Sequence, residues 1–190
     1  MFGVPDLSGY GCFPLPVRPA LSYRSGGLAF GVNRGNSVHA GCYLEAPAGT
    51  KVFAIYDGTI WYTPGNIPFF VSKGYGGRPG VCENPVEAPT YELALITEFG
   101  IIRYGEIAKE LPKGVRAGAT VSKGQHIASV AHQFGGTMLH LELFSNTTSR
   151  AGLTKPGNKT YDHVPAKNYH RRSDLEDPTT MLDWSLLTGG

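Results

Sequence analysis

Two histidines stand about a hundred residues apart in this chain, each inside a short apolar stretch. His39 opens His39-Ala-Gly-Cys-Tyr-Leu-Glu45, and His140 lies within Gly136-Thr-Met-Leu-His-Leu-Glu-Leu-Phe144. Both stretches read as β-strands. Side chains alternate across a strand, so His39, Gly41, Tyr43 and Glu45 share one side of the first, and Met138, His140 and Glu142 one side of the second. Imidazole is the commonest metal ligand among side chains, and these two strand-borne histidines are a candidate pair of metal ligands. A catalytic zinc takes three protein ligands and keeps a fourth position open for water. Tyr43 is one candidate for the third ligand, but a phenol has a reference pKa near 10 and must lose its proton to bind well. Glu45, one step further along the same face, is the other.

The elements that must bring these residues together are mostly strands. Strand signals run at about residues 37–45, 50–56 and 58–63, with a tight Ala46-Pro-Ala-Gly49 turn and a turn at Asp57-Gly58 between them. Two more, 91–98 and 101–107, are joined as a hairpin at Phe99-Gly100. Two short ones lie in 119–130 around Lys123-Gly124, and the His140 strand follows. Residues 1–36 read as an extended arm, 37–184 as the domain, and 185–190 as a tail. Residues 64–90, crowded with glycine and proline, read as a long loop insertion, a kind of segment that is often functional. Its Phe69, Phe70 and Tyr75 either line a groove or pin the loop down. Asp177 before Pro178 predicts the start of one short closing helix.

Composition bounds the alternatives. With 190 residues the chain is one domain with elaborations. Glycine (26) and proline (14) together exceed the usual share of about 12%, which favours an all-β domain with many turns. A net charge of +2 and the lack of a basic run exclude a nucleic-acid signature. No stretch of about 18 apolar residues is present, so no membrane span is expected. The first ten residues carry neither a basic n-region nor an apolar h-region, so no signal peptide is read there. Three cysteines, Cys12, Cys42 and Cys82, lack metal-finger spacing and fit either one disulfide plus a free thiol or three reduced thiols; Cys42, on the strand face opposite His39, points towards the core.

The order of these motifs resembles the LytM/lysostaphin-type zinc peptidase family. His39-x-Gly, then Ala46-Pro-x-Gly-Thr-x-Val-x-Ala54, then Asp57-Gly58 look like the first half of that domain. Ala117-Gly-Ala-Thr-Val-Ser-Lys-Gly-Gln-His-Ile127 looks like its Gly-x-x-Val-x-x-Gly-x-x-Ile turn, Leu139-His140-Leu-Glu142 its Leu-His-Phe-Glu strand, and Asp177-Pro178 its Asp-Pro. The match covers about residues 30–184 outside 64–90. It implies an antiparallel β-sandwich of the duplicated hybrid motif type. The same motif occurs in sugar-phosphotransferase carriers, but the Asp-Pro and the Ala-Pro-x-Gly-Thr turn fit the peptidase side better.

The family cleaves peptides of bacterial peptidoglycan with a zinc held by two histidines and an aspartate. By resemblance, His39 and His140 fall on the two histidine ligands and Tyr43 on the aspartate. Met138 and Glu106 fall on two helper histidines. The resemblance therefore implies a peptidoglycan-directed domain that acts on or binds cell-wall peptides, with the standard zinc scheme impaired by Tyr43, Glu106 and Met138. The alternative is an active zinc endopeptidase, for example a secreted antibacterial toxin or a phage lysin. It would use Tyr43 or Glu45 as third ligand and Glu106 as base, with His132 a candidate to replace the missing helper. Tyr43 is otherwise a packing residue filling the emptied position. Tyr75, Phe69 and Tyr104 are candidate substrate contacts. The expected partners are peptidoglycan peptides, a cell-wall hydrolase or an immunity protein. The expected place of action is periplasmic or extracellular, at the cell wall, reached through a secretion system or a phage.

Overall fold

Strands in which every second residue is aliphatic form the centre of a single antiparallel sheet. The computed structural model describes residues 11–34, 38–74, 86–149, 162–163, 170–171 and 173–188. The strands are β1 (Cys42–Glu45), β2 (Lys51–Phe53), β3 (Gly58–Tyr62), β4 (Phe70–Gly74), β5 (Val86–Thr97), β6 (Gly100–Ile107), β7 (Thr120–Val121), β8 (His126–Ser129), β9 (Met138–Ser145), β10 (Asp162–His163), β11 (His170–Arg171) and β12 (Leu175–Glu176), closed by helix α1 (Thr179–Thr188). The main sheet runs β1-β9-β6-β5-β3-β7, with β12 added to β9 and β4 to β5; β2 and β8 form a smaller ribbon. Every pairing is antiparallel. The fold is all-β with antiparallel sheets and one C-terminal helix, as expected.

Alternation sorts the sheet into two faces. Cys42 and Leu44 of β1, Leu93 and Leu95 of β5, Ile102 and Tyr104 of β6, and Leu139, Leu141 and Leu143 of β9 enter the main core. Val52, Ile127 and Ala128 from the β2–β8 ribbon and Met181 and Leu182 of α1 close that core from the other side. Burying each large aliphatic side chain there is worth about 1.5–3 kcal/mol. The opposite face of the same four strands carries Glu92, Arg103, His140, Glu142 and Tyr43, beside a smaller apolar cluster of Ala94, Ile101, Phe144 and Leu175. One face builds the core; the other holds nearly all the polar groups that could do chemistry.

The structure corrects the sequence-based expectations in three places. Residues 64–90 are not all loop: Phe70–Gly74 pairs with the first half of β5, from Phe70 opposite Thr90 to Gly74 opposite Val86. Pro89 hid this strand, but it lies beyond the end of β6, where β5 has β4 as its partner, and a proline is tolerated in such an edge ribbon. His39 itself precedes β1, held by backbone bonds to Gly31 and Val32. The arm packs down as well as leading in: Phe13, Leu15 and Tyr23 are buried in the main core. The closing helix is ten residues long. Asp177 caps it, its carboxylate accepting the Thr179 N–H at 2.9 Å, with Pro178 in the first-turn position that suits proline. Cys12 and Cys42 are free thiols, and Cys42 is fully buried, towards the core as expected; Cys82 and Tyr75 lie outside the described residues.

Candidate functional site

Strand register brings the two histidines together. Tyr43 stands directly opposite His140 in the β1–β9 pair, and Gly105 of β6 stands opposite His140 on its other side. His39 arrives from the turn before β1. Both imidazoles are buried, each 4% exposed, and His39 Nε2 lies 3.2 Å from His140 Nδ1.

The outer nitrogens fix the tautomers. The Ala29 carbonyl can only accept, so His39 Nδ1–H donates to it at 2.9 Å. Glu142, an ion-pair partner of Arg103, accepts from His140 Nε2–H at 3.0 Å. With these outer contacts, the inner nitrogen of a neutral ring at either position carries a lone pair aimed at its partner. Two lone pairs 3.2 Å apart call for one cation between them, a proton or a metal ion. Two ligands at about 2.0–2.1 Å from a tetrahedral zinc would be about 3.3–3.4 Å apart, so the imidazole pair fits such an ion. No carboxylate among the described residues completes the set. Among the described residues no group of three or more His, Cys, Asp or Glu could hold a metal, so neither Glu45 nor Glu106 joins the pair as a ligand.

Tyr43 packs on both imidazoles, its ring centroid 4.3 Å from that of His39 and 5.1 Å from that of His140. Its hydroxyl accepts from Arg34 Nη1 at 3.2 Å and feels the charge of the Glu106 carboxylate. Burial and the Glu106 carboxylate push its pKa up to about 12, with Arg34 pulling the other way. Burial, then His140 and Arg34, push the His39 pKa down to about 3.

Glu106 sits where β5 and β6 slip register: Tyr91 pairs with Ile107 and Glu92 with Gly105, which leaves Glu106 as the extra residue of a bulge. Its φ of 61° is a left-handed conformation that a non-glycine residue adopts at a cost of about 1–3 kcal/mol. The bulge turns its buried carboxyl towards Tyr43 and Gln133, whose Nε2–H donates to it at 3.0 Å. Burial raises the Glu106 pKa, opposed by His140, Gln133 and Tyr43.

The other expected residues are placed as follows. Phe69 lies by the site, its ring 5.4 Å from that of His140. Gly105 makes this possible, since a Cβ there would come within 2.8 Å of the Phe69 ring and 3.3 Å of His140 Cβ. Tyr104 is wholly buried in the core, its hydroxyl accepting the Ile55 N–H, because it alternates to the opposite face from Arg103. It is no substrate contact. His132 is exposed and rests edge-on against Phe134; its neighbour Gln133 is the residue that reaches the site. Met138 begins β9, its carbonyl accepting from Gln133 at 3.4 Å. Arg34, Arg103 and Gln133 were not foreseen. Arg103 left a signal, a charge alternating with Ile102 and Tyr104 in an apolar strand; the other two lie in irregular segments and left none.

Neither a family model nor a curated protein sequence matches the chain. Some solved structures are similar. The catalytic domain of the antimicrobial peptidase lysostaphin from Staphylococcus simulans is 21% identical over 95% of this chain and 98% of that one, with a TM-score of 0.45. Csd3 from Helicobacter pylori is 17% identical over 73% of this chain, with a TM-score of 0.45. A zinc containing peptidase from Vibrio cholerae is 21% identical over 70% of this chain, also with a TM-score of 0.45. The alignments cover 32% of the Helicobacter chain and 36% of the Vibrio chain.

Proposed function

We infer that this chain is a LytM-like, peptidoglycan-directed domain that acts on or binds cell-wall peptides, with the standard zinc scheme impaired. One observation carries the reading. His39 Nε2 and His140 Nδ1 face each other at 3.2 Å, as two metal-binding imidazoles would, while the position that resembles the aspartate ligand is a phenol bracketed by Arg34 and Glu106. His39 and His140 would hold the zinc, which when bound polarises a peptide carbonyl and acidifies water. Burial and Glu106 push the Tyr43 pKa up to about 12, which disfavours the phenolate that a strong third ligand would need. Glu106, with a raised pKa, is the group of this site suited to hold or move a proton. Phe69 supplies an apolar wall beside His140. Action on such peptides places the domain at the cell wall, outside the cytoplasm.

Metal analysis tests this directly. The wild type is expected to bind zinc weakly and to leave muropeptides uncut, and Tyr43→Asp is expected to raise zinc uptake. One tightly held zinc per chain, lost on His39→Ala, would overturn the impairment. The two inward lone pairs favour a second reading, an active endopeptidase with Tyr43 as third ligand and Glu106 as base. It predicts release of cleaved stem peptides that His140→Ala abolishes.

A further inference from the structure

His140 does not stand alone behind its ring. From Nε2 a buried polar chain runs sideways across three strands: His140 to Glu142 on β9, Glu142 Oε2 to Arg103 Nη1 at 3.1 Å on β6, and Arg103 to Glu92 on β5. Arg103 is 1% exposed, and its guanidinium also lies over the Phe69 ring, 4.8 Å from the centroid. The strand pairing sets this row: Arg103 stands opposite Glu142 and Ala94, with Glu92 two residues from Ala94 on the same face of β5. Burial alone would favour losing the Arg103 proton, but Glu142, Tyr62 and Glu92 outweigh it and hold the cation in place.

Nothing in the requirements of a β-sheet calls for a guanidinium here. Aliphatic residues would fill the same face without desolvating three charges, and replacement of buried ion pairs by apolar groups is often neutral or stabilising. The row ends, however, on one ring nitrogen. Glu142 alone could rotate, accept from water or take a proton. Clamped by a guanidinium, whose rigid fork meets two carboxylates at once, it is held with Oε1 turned to His140. The ring must then present Nε2–H outward to Glu142 and bare Nδ1 inward to His39.

We propose that Arg103, acting through Glu142, is the positioning residue of this site: the Glu92–Arg103–Glu142 row selects the Nε2–H tautomer of His140 and aims its Nδ1 lone pair at His39. The inference rests on the reading of His39 and His140 as a metal pair, but the tautomer is measurable without metal. Outer partners of this kind typically change metal affinity about 10–100-fold when removed.

The test uses the full chain labelled with 15N-histidine. Two-bond proton–nitrogen spectra of the metal-free protein above pH 7 separate protonated from bare ring nitrogens. Wild type should show His140 as a single form with Nε2 protonated. In Arg103→Lys, whose point charge cannot bridge both carboxylates, and in Glu142→Gln, the His140 signals should move towards a mixture of tautomers. Cobalt(II) affinity, read from its visible spectrum, should fall about 10-fold or more in each. If Arg103→Lys does not fold, Glu142→Gln carries the test. His140 unaltered in the folded variants overturns the proposal. So does a change in Glu142→Gln alone beside a folded, unaltered Arg103→Lys, since Arg103 would then be only a structural charge. Wild type that binds no cobalt yet shows the tautomer change in the variants would sink the reading of His39 and His140 as a metal pair and leave the positioning role standing; cobalt binding without a tautomer change does the reverse.

Discussion

Gly41→Ala is the substitution that most directly tests how β1 delivers the site. Gly41 lies between His39 and Tyr43, where β1 begins to run along β9. A Cβ there would fall inside the contact radius of the Leu141 carbonyl oxygen, 2.8 Å from its carbon and 3.1 Å from Glu142 Cγ. Non-bonded carbons normally sit about 3.5–4.0 Å apart, so the two backbones must separate by about 0.7–1.2 Å at this point. Backbone is what gives way, since the nearest atoms belong to a sheet carbonyl rather than to the end of a flexible side chain. The displacement falls within two residues of both His39 and Tyr43, and the His39–His140 contact of 3.2 Å has no slack to absorb it. Overpacking of this kind costs about 1–3 kcal/mol. The matched control is Gly65→Ala, where nothing lies within 4 Å of the new Cβ and no positive φ is involved. That change should be neutral or stabilising by up to about 1 kcal/mol through the unfolded chain. Urea unfolding at pH 7 gives both values, and the coupling between the two imidazoles can be followed in the 15N spectra. If Gly41→Ala unfolds at the same midpoint as Gly65→Ala with the histidine signals unmoved, the close approach of β1 to β9 does not set the site.

Acid should destabilise the fold through His39. Its pKa is held near 3 when folded and is about 6.5 when unfolded, so the unfolded chain binds more protons between these values. Stability is therefore full above pH 6.5 and falls as the pH drops towards 3, by up to about 5 kcal/mol over the window at 1.36 kcal/mol per unit. Glu106, raised in the folded state, acts with the opposite sign just above its ordinary value of 4.5, gaining stability there as the pH falls. Urea midpoints at pH 7, 5.5 and 4 for wild type and His39→Asn check this, and parallel curves would refute the assignment. Asp177→Ala removes the acceptor of the Thr179 N–H and should cost about 1 kcal/mol, seen as a lower Tm, while Asp177→Asn should retain most of it.

Sequence periodicity was enough to assign faces. The alternation of Leu93, Leu95, Ile102, Tyr104, Leu139 and Leu141 with smaller or charged residues is a local property, and it placed His140 and Glu142 on one side before any contact was known. It also assigned Cys42 to the core and Asp177 to the start of the helix, each from its immediate neighbours. The β4–β5 ribbon was hidden for an equally local reason. Gly74, Pro85 and Pro89 weaken the strand pattern, and the pairing that stabilises Phe70–Gly74 lies across a stretch of the chain rather than along it.

What periodicity cannot supply is register, and the site is a product of register. Arg103 neutralises Glu142 because β6 and β9 pair with those two residues opposite; a two-residue slip would keep every side chain on its face and break the row. Glu106 shows the same point from the other side. Simple alternation would put it on the face of Tyr104 and the core; the extra residue of the bulge, at a φ of 61°, turns it instead to Tyr43 and Gln133. A bulge leaves no mark in hydropathy, so a carboxyl was foreseen near the histidines through resemblance alone and its partners were not foreseen at all. The site thus joins two kinds of order. Its faces are fixed by local alternation and would survive many substitutions. Its charges meet through one register and one bulge, so a change that shifts either should disarm the histidines while leaving the core intact.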